Sequence, residues 1–290
     1  MGRLRISIVQ YLNTAPLVWG FTHGPLQGRY DLTFTVPSQC AEQLARGDVD
    51  VAIIPAIEYQ RIHGLVALPG MAIASKHAVR SLLVISKVPI QEVRRLALDS
   101  SSRSTAALVR LLAATPWKRP EAPPIEFSSA SPDLPAMLAE NDAAMVIGDP
   151  ALRLAERHDA GESVLPGGAR LHVYDVIAEW RAWTGRPGVL ALWAARPRAV
   201  TPELIADFHA SKAYGLAHLQ EIAANAAATL GLPQAHLQRY LRENIDYGLD
   251  DENLAGLNVF FEKAAAAGLI PSARPLEFAG LTVPAATRKA

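Results

Sequence analysis

Cysteine, net charge and long apolar runs are what this sequence lacks. One cysteine, Cys40, stands among 290 residues, which excludes an internal disulfide and a thiolate metal cluster and fits a reducing compartment. It reads as a small helix residue. Lys plus Arg and Asp plus Glu number 28 each, so no long-range field gathers polyanions or holds the chain on an anionic surface. Neither nucleic acid nor membrane is expected as a partner, and no window approaches the roughly 20 apolar residues of a membrane crossing. The opening residues Arg3 to Val9 alternate like a strand and lack the apolar core and cleavage site of an export signal, so a cytoplasmic location is expected. No Gly-x-Gly-x-x-Gly follows a strand, and there is neither a phosphate-binding Gly-Lys-Ser/Thr loop nor a Gly-x-Ser-x-Gly elbow, which argues against nucleotide cofactors. The eight histidines are scattered with no pair at helical ligand spacing, so they read as mostly surface residues and no metal is expected.

What is present is apolar, at 50% of residues against 19% charged, a balance that suits a packed globular protein. Strands alternate with helices through the first half, the pattern of an α/β fold. Strands are expected at Arg3 to Val9, at Leu32 to Val36, at Val49 to Ile54 and at Val79 to Ser86. Pro37-Ser38 starts a helix that ends at Gly47. Arg95 to Leu98 is a further strand, followed by the polar run Asp99 to Ser104 and a helix carrying Leu108, Leu111 and Leu112. Six prolines between Thr115 and Pro135 make that stretch largely loop around one short strand, Ile125 to Phe127. Ala143 to Ile147 and Val189 to Ala194 read as strands, and from Thr201 onward the text is helical, with caps at Thr201 and Asp250 and a frayed end at Thr287 to Ala290.

Candidate chemistry sits in polar loops where strands end, the place where open α/β sheets bind ligands. Gln10 to Leu17 could aim the Tyr11 hydroxyl and the Asn13 amide into a cleft, although alone it reads as an ordinary turn. Ser38 is equally a structural cap or a carboxylate contact. The run Ser100-Ser101-Ser102-Arg103-Ser104-Thr105 concentrates hydroxyls, a guanidinium and unpaired amides at a helix start; one cap needs one hydroxyl, so an anion site is the better reading. Gly148 allows close backbone approach, and Asp149 is as consistent with capping the next helix as with touching a ligand. Ser75 and Ser81 flank the expected crossing strand, where exposed polar residues are the default.

In order along the chain, these segments resemble the chorismate dehydratases of the futalosine route of menaquinone biosynthesis. The resemblance rests on Tyr11-Leu12-Asn13-Thr14 with Pro16-Leu17, on Pro37 to Tyr59, on Asp99 to Thr105 and on Gly148-Asp149-Pro150-Ala151-Leu152. It continues through Tyr174-Asp175, Glu179-Trp180, Trp183-Thr184-Gly185, Trp193, Tyr240, Tyr247, Gly256-Leu257 and Phe260-Phe261. The sequence departs from that family at Arg186-Pro187-Gly188 and at His77. The resemblance implies a two-lobed fold like that of type 2 periplasmic binding proteins, a Venus flytrap with C-terminal helices. One lobe is expected from residues 1–88 with 195–290 and the other from 89–194. It further implies a lyase acting on chorismate as small-molecule substrate, with no organic cofactor and no metal. Asn13 is the expected catalytic residue, with Tyr11, Ser38, Ser75, Ser81, Ser102, Arg103, Ser104, Thr105, Gly148 and Asp149 around the substrate. No matched motif offers a histidine or lysine base, so the substrate's own enolpyruvyl carboxylate is the expected base. A non-catalytic small-anion binding protein and the related naphthoate-forming enzyme are the rivals; the strand at Arg3 argues against the first and Tyr11-Leu12-Asn13-Thr14 against the second. Nothing in the sequence fixes an oligomeric state.

Overall fold

The computed structural model describes residues 2–118, 121, 123–162 and 171–280; the expectation for Thr287 to Ala290 lies outside them. The chain opens with β1 (Arg5–Val9), a 3-10 turn (Leu12–Thr14), α1 (Ala15–Thr22), β2 (Asp31–Thr35), α2 (Pro37–Arg46), β3 (Val51–Pro55), α3 (Ala56–Arg61) and β4 (Val66–Ser75). Proline at the first position of α2 removes an amide that would be unpaired anyway, and Gly47 closes the helix with φ 81°. Every residue of β3 is buried, as expected for a strand covered on both faces. Cys40 is buried within α2, and burial pushes its thiol up to about 11.

After β4 the chain crosses into a second lobe comprising β5 (Leu82–Ser86), β6 (Arg95–Asp99), α4 (Arg103–Ala114), β7 (Glu126–Ala130), α5 (Leu134–Glu140), β8 (Ala143–Ile147), α6 (Gly148–Asp159), β9 (His172–Asp175) and α7 (Val176–Thr184). It returns through β10 (Gly188–Ala195) and finishes with α8 (Pro202–Ala217), α9 (Leu219–Leu230), α10 (Gln234–Arg239), a π-helical turn (Tyr240–Asn244) and α11 (Asp251–Ala266). The two sheets run β2-β1-β3-β10-β4 and β7-β6-β8-β5-β9. In the first, β1 pairs in parallel with β2 and β3 while β10 runs antiparallel between β3 and β4. In the second, β6 pairs in parallel with β7 and β8 while β5 runs antiparallel between β8 and β9.

Sheet membership moves both expected boundaries by one strand. Leu82–Ser86, assigned from sequence to the first lobe, hydrogen-bonds within the second sheet, and Gly188–Ala195, mostly assigned to the second, is interior to the first. The crossing is the polar turn before β5, where Arg80 adopts a left-handed backbone at φ 63° and its amide donates to Asp175 Oδ2 at 2.6 Å. One continuous apolar core links the first sheet and its helices to α4, α7 and α11, while a smaller cluster fills the far side of the second sheet against α5 and α6. Among the described residues, no helix is long and apolar enough to cross a membrane.

Candidate active site between the lobes

The carboxyl ends of β1 and β3 face those of β6 and β8, and the loops that follow close on one another. Leu12 N–H donates to Asp149 Oδ1 at 2.9 Å, Ser38 N–H to the Ser101 carbonyl at 3.0 Å, and Ile57 N–H to Ser104 Oγ at 3.3 Å. The Arg103 guanidinium reaches back to Glu58 at 2.7 Å and also engages Glu42. Glu58 is buried and is held from its other oxygen by Arg61 at 2.7 Å. Each of these bonds except the Arg61 pair joins one lobe to the other, so the structure is a closed state.

Enclosed by this closure is a cavity of ≈ 50 Å³, room for only a few waters. Asn13, Thr14, Ser102, Ser104 and Thr105 supply its polar wall; Val9, Ile73, Leu82 and Leu190 are among its apolar lining. Ser102 precedes α4 without its side chain capping the helix, and its hydroxyl donates to Thr105 Oγ1 at 2.8 Å. The first-turn amides of α4 are therefore left without a side-chain cap, at the positive end of the helix dipole. Tyr11 and Gly148 form a further wall. Gly148 has φ +66°, and a Cβ there would meet three ring carbons of Tyr11 at 2.7 Å, so only glycine lets the ring lie flat on the start of α6. Burial raises the Tyr11 pKa, so its phenol stays protonated.

Of the residues singled out from sequence, Tyr11, Asn13, Ser102, Ser104, Thr105 and Gly148 line this cavity. The others occupy the shell behind it. The Ser38 amide is bound across the lobes, while Ser75 Oγ accepts from His77 N–H at 3.3 Å and fixes the crossing turn. Ser81 is buried and accepts from the Tyr240 hydroxyl at 2.8 Å. Arg103 faces two carboxylates instead of the cavity, because those acids lie on the opposing helices α2 and α3. Asp149 sits in the first turn of α6, whose cap position is Ile147, and it serves the incoming 3-10 turn instead of its own helix. Burial raises its pKa above the ordinary carboxylate range. The departures at His77 and Arg186 are on the outer surface, and the Pro187 carbonyl accepts from Trp180 Nε1 at 3.2 Å.

Sequence reasoning gave Tyr240, Leu190 and Ala191 no role at the site. Tyr240 stood in a matching segment but 159 residues from Ser81, and β10 reads only as a strand. A larger recess of ≈ 340 Å³ opens on the outer side of Tyr11, walled by Trp19, Phe34, Ile222 and Leu230 among others. It is mainly apolar and the Asp149 carboxylate is part of its lining, whereas the polar wall of the inner cavity is made of uncharged hydroxyls and an amide, so the inner cavity is the candidate active site.

A sequence model of the menaquinone biosynthesis family matches residues 4–266. A chorismate dehydratase from Thermus thermophilus is 26% identical over 264 residues, covering 89% of this chain and 93% of the relative. Among solved structures, a protein from Archaeoglobus fulgidus superposes with a TM-score of 0.72 at 18% identity, covering 92% of this chain and 98% of that one. The periplasmic aliphatic sulphonate binding protein of Escherichia coli superposes with a TM-score of 0.62 at 15% identity, covering 99% and 96%. The two-lobed α/β architecture is thus that of the periplasmic binding proteins.

Proposed function

Because the chain belongs to the menaquinone biosynthesis family, we propose that it is a chorismate dehydratase, a carbon–oxygen hydro-lyase that removes water from chorismate to leave 3-[(1-carboxyvinyl)oxy]benzoate. The name of the Thermus thermophilus relative supports the substrate, and a cytoplasmic setting goes with such a biosynthetic step. The observation that carries the reading is the chemistry of the cavity wall. It offers hydroxyls, an amide and a helix start, yet among the described residues its lining holds no lysine, arginine, histidine or carboxylate. That is a site able to bind and orient an anion while leaving proton abstraction to the anion itself.

In this mechanism the lobes part to admit chorismate, since the closed cavity is too small for it, and close again through Arg103, Ser38 and Asp149. One carboxylate is held by the α4 amides and by the Ser102, Ser104 and Thr105 hydroxyls. The enolpyruvyl carboxylate takes the C3 proton, and the electron pair of that bond forms the new ring double bond as the C4 oxygen leaves. The Asn13 amide donates to that departing oxygen, which takes up the proton carried by the enolpyruvyl carboxyl group and leaves as water. Aromatisation drives the step, with no change of oxidation state that would call for a cofactor, and the protein contributes alignment and exclusion of solvent. Tyr11 and Gly148 wall the ring.

Purified protein incubated with chorismate alone, with products followed by chromatography and mass spectrometry, tests the reading beside an Asn13→Ala variant. Formation of the benzoate product by the wild type and its loss in the variant are expected. Binding of chorismate without turnover would replace the enzyme by a small-anion binding protein.

A further inference from the structure

We propose that Arg110, with Arg61 and Arg103, forms an outer anion site that collects the dicarboxylate substrate at the mouth of the interlobe cleft; the inference rests on the dehydratase reading. Beside the inner cavity lies another of ≈ 210 Å³, whose polar wall includes Arg61, Arg103, Arg110, Ser100, Ser102 and Ser129. Arg61 and Leu269 reach it from the first lobe and the residues of β6, β7 and α4 from the second, so it straddles the cleft. Ser102 lines both cavities, which places them on either side of the start of α4.

The three guanidiniums are not equally balanced. Arg61 and Arg103 share Glu58, one oxygen each at 2.7 Å, and Arg103 also engages Glu42. Arg110 is exposed, with its guanidinium over the Phe127 ring at 4.5 Å from the centroid, and among the described residues no carboxylate pairs with it. A cation on an aromatic face is held in place without being neutralised. Asp99, also in the lining, is 1% exposed and its Oδ1 is taken by the Ser101 amide and hydroxyl at 2.8 and 2.7 Å.

Opening adds a second cation. Parting of the lobes separates Arg103 on α4 from Glu42 on α2 and Glu58 on α3, which leaves its guanidinium without those carboxylates. Residues 103 and 110 are seven apart, two turns along one face of α4 with a rise of roughly 10 Å between them, a spacing that two carboxylates on separate substituents of one ring can bridge. The placement suits the chemistry as well. The chain has no net charge, so the pull on a dianion has to come from a local cluster. A guanidinium inside the reaction cavity would hold the enolpyruvyl carboxylate that has to act as base. Arginines just outside it attract the substrate and leave that carboxylate free, and closure, by pairing Arg103 with Glu42 and Glu58 again, withdraws one of the two cations and releases the substrate inward.

Steady-state kinetics on chorismate at about 20 mM and about 500 mM salt test this, since the Debye length falls from roughly 20 Å to roughly 4 Å across that range. The variants are Arg110→Gln, Arg110→Glu and Arg110→Lys, beside Arg186→Gln as a charge change on the outer surface. At low salt kcat/KM is expected to fall about fivefold in Arg110→Gln and about twentyfold in Arg110→Glu, and to stay within about twofold in Arg110→Lys and Arg186→Gln, with kcat nearly unchanged. At high salt all four are expected to converge on the wild type. Wild-type kcat/KM in Arg110→Glu at low salt, a loss that persists at high salt, or a loss confined to kcat would overturn the inference. A wild type that makes no product overturns the dehydratase reading instead; the outer site is then read from the chorismate dissociation constant by calorimetry, with the same order of variants and the same salt dependence expected, and absence of chorismate binding would overturn both.

Discussion

Replacing Gly148 by alanine imposes two separate costs that a matched control can divide. The first is backbone: at φ +66° an L-residue costs about 1–2 kcal/mol. The second is steric, because the new methyl would lie 2.7 Å from three ring carbons of Tyr11, and an overpacked buried contact costs about 1–3 kcal/mol more. Gly47 at the end of α2 is the control, with φ +81° and nothing within 4 Å of a built Cβ. Urea unfolding is therefore expected to place Gly47→Ala about 1–2 kcal/mol and Gly148→Ala about 2–5 kcal/mol below the wild type, at unchanged m values. In a Tyr11→Ala background, Gly148→Ala is expected to cost only the backbone share. Because the displaced ring forms a wall of the cavity, chorismate turnover falls with Gly148→Ala and not with Gly47→Ala. Equal destabilisation by the two alanines would refute the close packing of Tyr11 on Gly148.

Three further outcomes are expected. Asp149→Asn keeps an oxygen for the Leu12 amide and is expected to retain activity, whereas Asp149→Ala orphans that amide and costs about 1–3 kcal/mol in thermal or urea unfolding; equal behaviour of the two would remove the cross-lobe bond. Asp99 is buried, its Oδ2 has no partner, and burial outweighs the Ser101 hydrogen bonds to raise its pKa. A carboxyl whose folded pKa is raised binds its proton more tightly in the folded chain, so its contribution favours folding at low pH and is lost as pH rises from the ordinary to the raised value. Asp99→Asn is thus expected to match or exceed wild-type stability near neutral pH, with its advantage shrinking as pH falls through that interval in urea titrations; a clear loss near neutrality would contradict it. Arg103→Gln loosens the closed state by about 1 kcal/mol, so KM is expected to rise about fivefold with kcat nearly unchanged and a larger radius of gyration by X-ray scattering; an unchanged KM would count against the latch.

Local chemistry made some elements legible. Ala143 to Ile147 was readable because five apolar residues ending in glycine admit little but a buried strand, and α2 because Pro37 and Gly47 bracket it. β4 was not, since Pro69-Gly70 inside an apolar run reads as a turn. In the fold that pair falls where the pairing with β10 slips between Leu192 and Ala194, a bulge that tolerates it. α1 was hidden because Asn13, Thr14 and Pro16 read as a loop, although proline near a helix start is favourable. The hydroxyl run at α4 pointed to the site because its chemistry is local. The orientation of Arg103 toward Glu42 and Glu58, and of Tyr240 toward Ser81, depends on partners 45 to 159 residues away, which no local pattern encodes.

The position of β10 also governs the order in which the molecule can assemble. Among the described residues β4 has no strand neighbour in its sheet except β10, so the first lobe, although it begins at the amino terminus, stays open at its centre until residues 188–195 leave the ribosome. The described strands of the second lobe's sheet all come from the stretch β5 to β9, so that sheet can close earlier. Synthesis thus delivers the lobes in the reverse of their sequence order, with β3 and β4 as unpaired edges in the interval, the stage at which a nascent chain is most prone to pair with the wrong partner.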